Sequence, residues 1–186
     1  MDAIFANKAP EFIERRKEFR LPFREKVLFT DGTNTVTAYA ANISRGGLFL
    51  MSLQPYPLDT ICHFAFFLST QPQSLCVKAK IAHIVFDRQR CEVECGMGIQ
   101  FKELNESQKS LINLHILNEQ QAYQDLRAIL NKGTPRPVDL APHLRKLPHL
   151  ERLDLLELRY RVNRICTLFE PVRDPQADGR TEKMSA

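Results

Sequence analysis

Two short stretches carry side chains suited to holding an anion. In Glu14-Arg15-Arg16-Lys17-Glu18-Phe19-Arg20, Arg16 and Arg20 stand in an RxxxR spacing, with Arg15 beside them. A guanidinium presents its donors in a rigid planar fork that matches phosphate oxygens and the O6/N7 edge of guanine. The same flat cation also stacks on a purine face. A lysine would neutralise a phosphate without reproducing either fork or stack. In Asn42-Ile43-Ser44-Arg45-Gly46-Gly47, Asn42 and Ser44 are two apart at a strand end. Strand geometry sends both side chains to one side and leaves Ile43 for the core. The carboxamide and the hydroxyl can each donate and accept. Gly46 and Gly47 permit positive φ in the turn and a close approach of a ligand to the backbone. Each stretch alone has an ordinary account: a solvated charged arm, and a tight hairpin turn.

The background charge is mild, +4 over 186 residues, so its distribution matters more. From Arg15 to Lys26 there are six basic residues against two acidic ones, Glu18 and Glu25. Such a cluster raises the local positive potential and attracts a small polyanion. Apolar residues make up 44% and charged residues 26%, the balance of a soluble globular chain with a core. No apolar run is long enough to span a membrane, and residues 1–10 lack the pattern of a secretory leader. Five cysteines at irregular spacing predict no disulfide framework and fit a reducing cytoplasm.

The elements that must position these residues are mostly strands. Residues 26–30 and 35–41, rich in β-branched and aromatic types around Asp31-Gly32, predict a hairpin. After the turn Ser44-Arg45-Gly46-Gly47, residues 48–51 continue as a third strand. Residues 60–69, 75–87 and 91–101 supply three more, the second alternating Val77, Ala79, Ile81 against Lys78 and Lys80. Six short strands predict a small antiparallel barrel, because closure removes exposed edges. From Asn105 the pattern turns helical, with Leu111, Leu114 and Leu117 recurring to about Leu130, and Gly133, Pro135 and Pro137 form a linker. A short helix and a longer one from about Leu150 follow. Leu153, Leu156, Tyr160 and Ile165 form the stripe of the longer helix, which Leu155, Leu158 and Val162 widen into a helix needing cover on several sides. The resulting division is an arm over 1–24, a barrel with its helix over 25–131, a helical extension over 132–170 and a polar tail without fixed structure over 171–186.

Other chemistry finds little footing. Cys91 and Cys95 are four apart but lie on a predicted strand, where cysteine is a small core residue, so no metal site is expected. His63, His83, His115, His143 and His149 are scattered, and no nucleophile elbow, phosphate loop or dinucleotide fingerprint occurs. The short basic arm comes without a reading helix or aromatic RNA-binding motif, which argues against nucleic acid.

Together, in order and before and within a predicted barrel, the RxxxR and NxSxxG patterns resemble the PilZ domain family. Gly96-Met97-Gly98-Ile99-Gln100-Phe101 is similar to that family's last barrel strand. The resemblance covers about residues 11–117. It implies a six-stranded antiparallel β-barrel followed by C-terminal helices, and a receptor for cyclic di-GMP that is not an enzyme and needs no cofactor. It further implies that Arg15, Arg16 and Arg20, on an arm that folds over the ligand, act with Asn42, Ser44, Gly46 and Gly47. Arg15, just before the motif, points to a stacked pair of ligands. The ligand's signal would pass to an unidentified downstream protein. The alternative is a PilZ-like scaffold that works by protein contact without nucleotide, its broad C-terminal apolar face serving a partner or a homodimer.

Overall fold

Alternation of apolar residues with period two dictates the strands, and the computed structural model, which describes residues 19–86 and 95–169, closes them into a barrel. The strands are β1 (Leu21–Pro22), β2 (Lys26–Thr30), β3 (Thr35–Ser44), β4 (Gly47–Met51), β5 (Ile61–Phe66), β6 (Leu75–Val85) and β7 (Gly96–Lys102). All pairings are antiparallel, in the order β3-β2-β5-β6-β7-β4, and β3 pairs β4 to close the ring. The interior is filled by every second residue, among them Val27, Phe29, Leu48, Leu50, Phe64, Phe66, Val77, Ile81, Met97 and Ile99. Phe29 stacks on Phe64, and Phe66 on Phe101.

The barrel has the expected six strands plus one more. Leu21–Pro22, expected to be arm, pairs with β3 as Leu21↔Ile43 and Pro22↔Asn42. Leu21 and Phe23 are buried, and their burial pins the arm root to the sheet. Strand ends also differ from expectation. β3 runs on to Ser44, β5 is shorter than residues 60–69, and β7 starts at Gly96. Cys91, the expected start of that strand, lies outside the described residues. Cys95 is buried and disulfide-bonded, where the irregular cysteine spacing had predicted no disulfide framework, while Cys62 and Cys76 carry free thiols.

Three helices follow: α1 (Glu106–Asn131), α2 (Pro137–Leu144) and, after a 3-10 turn at Pro148–Leu150, α3 (Leu155–Thr167). The Asn105 side chain accepts from Gln108 N and the Gln108 side chain accepts from Asn105 N, a capping box that starts α1. The buried stripe of α1 is Ile112, His115, Ile116, Tyr123, Leu126 and Leu130, whereas Leu114 and Leu117, expected in it, are about half exposed. In α3 the buried face is Leu158, Val162 and Cys166, while Leu156 is 80% and Tyr160 58% exposed, contrary to the expected stripe. Both stripes are offset because α1 packs on α3, on α2 and on the arm root, so the faces that meet across those contacts are the ones buried. No helix among the described residues is long and apolar enough to cross a membrane.

Candidate ligand-binding site

The second motif occupies the end of β3 and its turn into β4. Along β3, Ala38 and Ala40 point inward, and strict alternation would send position 42 inward as well. A bulge between Ala40 and Asn42 adds one residue against β4 and reverses the phase. Ile43 thereby points into the core, at 0% exposure, while Asn42 lies on the outer face and Ser44, on the same side of the strand as Asn42, is itself buried. The bulge sets the phase that sends Ile43 inward and Asn42 outward.

Pairing of β1 with this segment brings the first motif to the second. Phe23 N donates to Ala41 O at 3.0 Å, at the bulged residue itself. Arg20, one residue before β1, then reaches the outer face, where its Nη1 donates to Asn42 Oδ1 in a long hydrogen bond of 3.4 Å. Arg20 and Asn42 are both half-buried. Arg15 and Arg16 lie outside the described residues.

The remaining motif residues divide. Ser44 is buried, and its hydroxyl donates to Gly47 O at 3.4 Å across the turn. Gly46 is exposed, and its carbonyl accepts from Phe101 N at 2.9 Å. Gly47 does not serve a positive φ. It is the first residue of β4, and a Cβ there would stand 1.8 Å from Ile99 O. The close approach expected of a ligand is made at this position by the barrel's own β7.

Strand register shows what else shares the face, since directly opposite residues point to the same side of a sheet. Asn42 is opposite Phe49, Phe49 opposite Gly98, and Gly98 opposite His83. A parallel row runs Ser44, Gly47, Gln100, Lys80. Lys80 is paired with Asp59 at 2.6 Å, which draws the Asp59 carboxyl below its usual range. Phe49, Gln100 and His83 were not picked out from sequence. The available signal was Gly96-Met97-Gly98, two outward glycines on one strand, which mark a close approach of neighbouring groups to the strand.

A large cavity lies elsewhere. About 1310 Å³ opens between the arm root, α1 and the segment leading into α3, with Arg24, Glu25, Glu119, His149, Arg152 and Arg161 in its lining. Burial, reinforced by Glu25, pushes the Glu119 carboxyl up to about 7. Burial, then Arg24 and Arg161, lowers His149 to about 4, and its Nε2 lies 2.7 Å from the Tyr123 hydroxyl. His115, 2% exposed, is lowered to about 4 by burial, and its Nδ1 lies 3.0 Å from Ser69 Oγ. Charges of both signs line this space. Among the described residues, no group of three or more His, Cys, Asp or Glu side chains could hold a metal ion.

A family model described as PilZ domain matches residues 14–118. Among solved structures, the chain is similar to the Bacillus subtilis inhibitor of motility MotI/DgrA, at 17% identity and a TM-score of 0.47, covering 59% of this chain and 53% of that one. It is also similar to the PilZ domain of YcgR from Escherichia coli with c-di-GMP, at 14% identity and a TM-score of 0.45, covering 62% and 98%. A third is the PilZ domain of CeSA from a cellulose-synthesizing bacterium, at 19% identity and a TM-score of 0.39, covering 50% and 90%. The chain thus spans about half the length of MotI/DgrA. No curated protein matches the sequence.

Proposed function

The chain belongs to the PilZ domain family, and from that membership we propose that it is a cytoplasmic, non-enzymatic receptor for cyclic di-GMP that relays the ligand's presence to a partner protein. The ligand is held between Arg15, Arg16 and Arg20 of the arm and the ledge of Asn42, Ser44 and the Gly46-Gly47 turn. The observation that carries this reading is the Arg20 guanidinium lying on the Asn42 carboxamide, which joins the two motifs on one outward face. The fork can turn from the carboxamide to a phosphate, exchanging a neutral acceptor for an anionic one that matches it in charge and in bidentate geometry.

A route for the relay starts inside the arginine segment. Phe19, adjacent to Arg20, packs edge-on against Phe169 beyond α3, with ring centroids 5.1 Å apart, and Phe169 in turn contacts Tyr123 of α1. An arm that closes over a ligand pulls on this contact and changes how α3 is held. A scaffold acting without nucleotide has one observation in its favour: Val138, Leu156 and Tyr160 are well exposed on α2 and α3.

Isothermal titration of the full chain with cyclic di-GMP decides between the two. The receptor reading expects micromolar or tighter binding, weakened at least tenfold in R20A by loss of a charged hydrogen bond worth about 1.5–3 kcal/mol. No heat and no thermal shift with the nucleotide would leave the scaffold. A monomer by light scattering, with and without residues 133–186, would then count against self-association.

A further inference from the structure

The outer row that begins at Asn42 ends in two aromatic rings lying against bare backbone. Inward neighbours of the row, Ile43, Leu48, Ile99 and Ile81, are all buried at 3% exposure or less, which fixes Phe49 and His83 on the outside. His83 owes that orientation to a second bulge. The register shifts between Ile81 and His83, so the ring two residues after an inward isoleucine points out rather than in. Asn42 is turned outward by the same device at the other end of the row.

Between the two rings the row holds only Gly98, which has no side chain. The three atoms nearest a Cβ placed on Gly98 all belong to the His83 imidazole, at 1.8, 2.1 and 2.6 Å, so the ring fills the space above that glycine. A Cβ on Gly96 would meet the edge of the Phe49 ring at 3.0 Å as well as Leu50 O at 2.1 Å. The two rings, with centroids 6.1 Å apart and planes 30° from parallel, lie side by side on the sheet instead of standing off it. Phe49 is half-buried and His83 exposed. Glycine inside a strand costs backbone entropy, and at position 98 the room it leaves is taken by the His83 ring. A flat floor of this kind is a platform for another flat ring. From Asn42 to His83 the row crosses three strand spacings, roughly 14 Å, room for a phosphate at one end and a base along the rest.

We propose that Phe49 and His83 form a purine-stacking subsite, on which one guanine of the ligand lies while its phosphate is held by Arg20 at the Asn42 end. The inference rests on the receptor reading above and adds the base-binding half of the site. Aromatic floors bind purines through their π-faces and tolerate either ring type, so a phenyl in place of the imidazole keeps the function.

The test is titration of the full chain with cyclic di-GMP, using F49L, H83L, H83F and R20A, with ligand guanine H8 chemical shifts read by NMR in parallel. The floor predicts at least fivefold weaker binding for F49L and H83L, and recovery to within twofold of wild type for H83F. It also predicts an upfield H8 shift on binding that shrinks in H83L and returns in H83F. Should F49L fail to fold, the H83L and H83F pair with the H8 shift decides alone. Wild-type affinity and an unchanged H8 shift in H83L, with binding lost in R20A, would overturn the floor and leave the receptor standing. Absence of binding by wild-type protein would overturn both.

Discussion

The outer face of β3, β4, β7 and β6 and the interface where α1 meets α3 both place polar groups beside the arm root, and they treat those groups in opposite ways. On the barrel face, bulges turn Asn42 and His83 outward and glycines clear the ground between them. At the helical interface the polar groups are covered. Tyr123 is 0% and His115 2% exposed, burial raises the tyrosine hydroxyl well above its usual range, and Glu119 is pushed to about 7. The wider opening is at the interface, whereas the barrel face sets Asn42, Phe49 and His83 in one row on a paired sheet. A large cavity whose charges are mutually uneasy is a place where stability depends on pH. A flat ledge backed by a rigid sheet is a place where a ligand can dock without that penalty.

Two glycines put the rigidity of the ledge to the strongest test. Alanine at 47 would press against Ile99 O, a backbone atom of a paired strand, so β4 and β7 must separate. The expected loss for G47A is about 3 kcal/mol or more, read as a lower urea midpoint. For alanine at 98 the three nearest atoms all belong to the His83 ring, a side chain and not backbone. G98A should therefore change stability by less than about 1 kcal/mol, since the gain from removing a strand glycine offsets the contact. Equal losses in the two variants would mean that the His83 ring is fixed as firmly as backbone, and the view of the ledge as floor plus movable ring would break.

The helical interface is tested by pH, and its groups pull in opposite directions. His115 and His149, held near 4 when folded against 6.5 unfolded, favour the unfolded chain as it takes up protons. They cost stability as pH falls from about 6.5 to 4. Glu119, raised from 4.5 to about 7, does the reverse, and its contribution is lost as pH rises through that window. Two histidines outweigh one carboxyl, so wild-type stability should rise between pH 4 and 6.5. E119Q removes the opposing term. It should match wild type near pH 4 and exceed it at pH 8 by about 1–2 kcal/mol, after allowance for partial exposure. Urea melts at both pH values check this, and an E119Q that is no more stable at pH 8 would mean that solvent relieves the carboxylate.

Much of this was legible in the residues. Alternation in Val77, Ala79 and Ile81 gave strands, and the pairing of RxxxR with NxSxxG pointed to one face of the barrel. What was not legible depended on partners distant in the chain. Leu111, Leu114 and Leu117 mark a stripe as regular as Ile112, Ile116 and Tyr123. Only the position of Phe23, edge-on to His115 at 5.5 Å, together with α3, selects the second. The bulges at Ala41 and Ala82 carry no sequence signature beyond a small residue, yet each reverses the phase of everything after it. For that reason Asn42 was assigned to the correct face by its spacing from Ser44, while His83 was passed over.

The smallest effect concerns the joint between the two regions, where β7 ends and α1 begins. Asn105 and Gln108 cap the helix reciprocally, and Gln108 Nε2 also donates to Cys76 O at 2.7 Å, tying the first turn of α1 to β6. N105A removes the acceptor for Gln108 N but keeps the tether, at a cost of about 1 kcal/mol. Since the joint bears on neither the floor of the ledge nor the carboxyl at the interface, two readouts should stay fixed as stability drops. These are the affinity for cyclic di-GMP and the pH-dependent difference between E119Q and its parent. A shift of affinity in N105A by more than about twofold would mean that the cap transmits strain into the barrel face. The contrast between an independent ledge and a pH-sensitive interface would then have to give way to a single coupled unit running from β6 through α1.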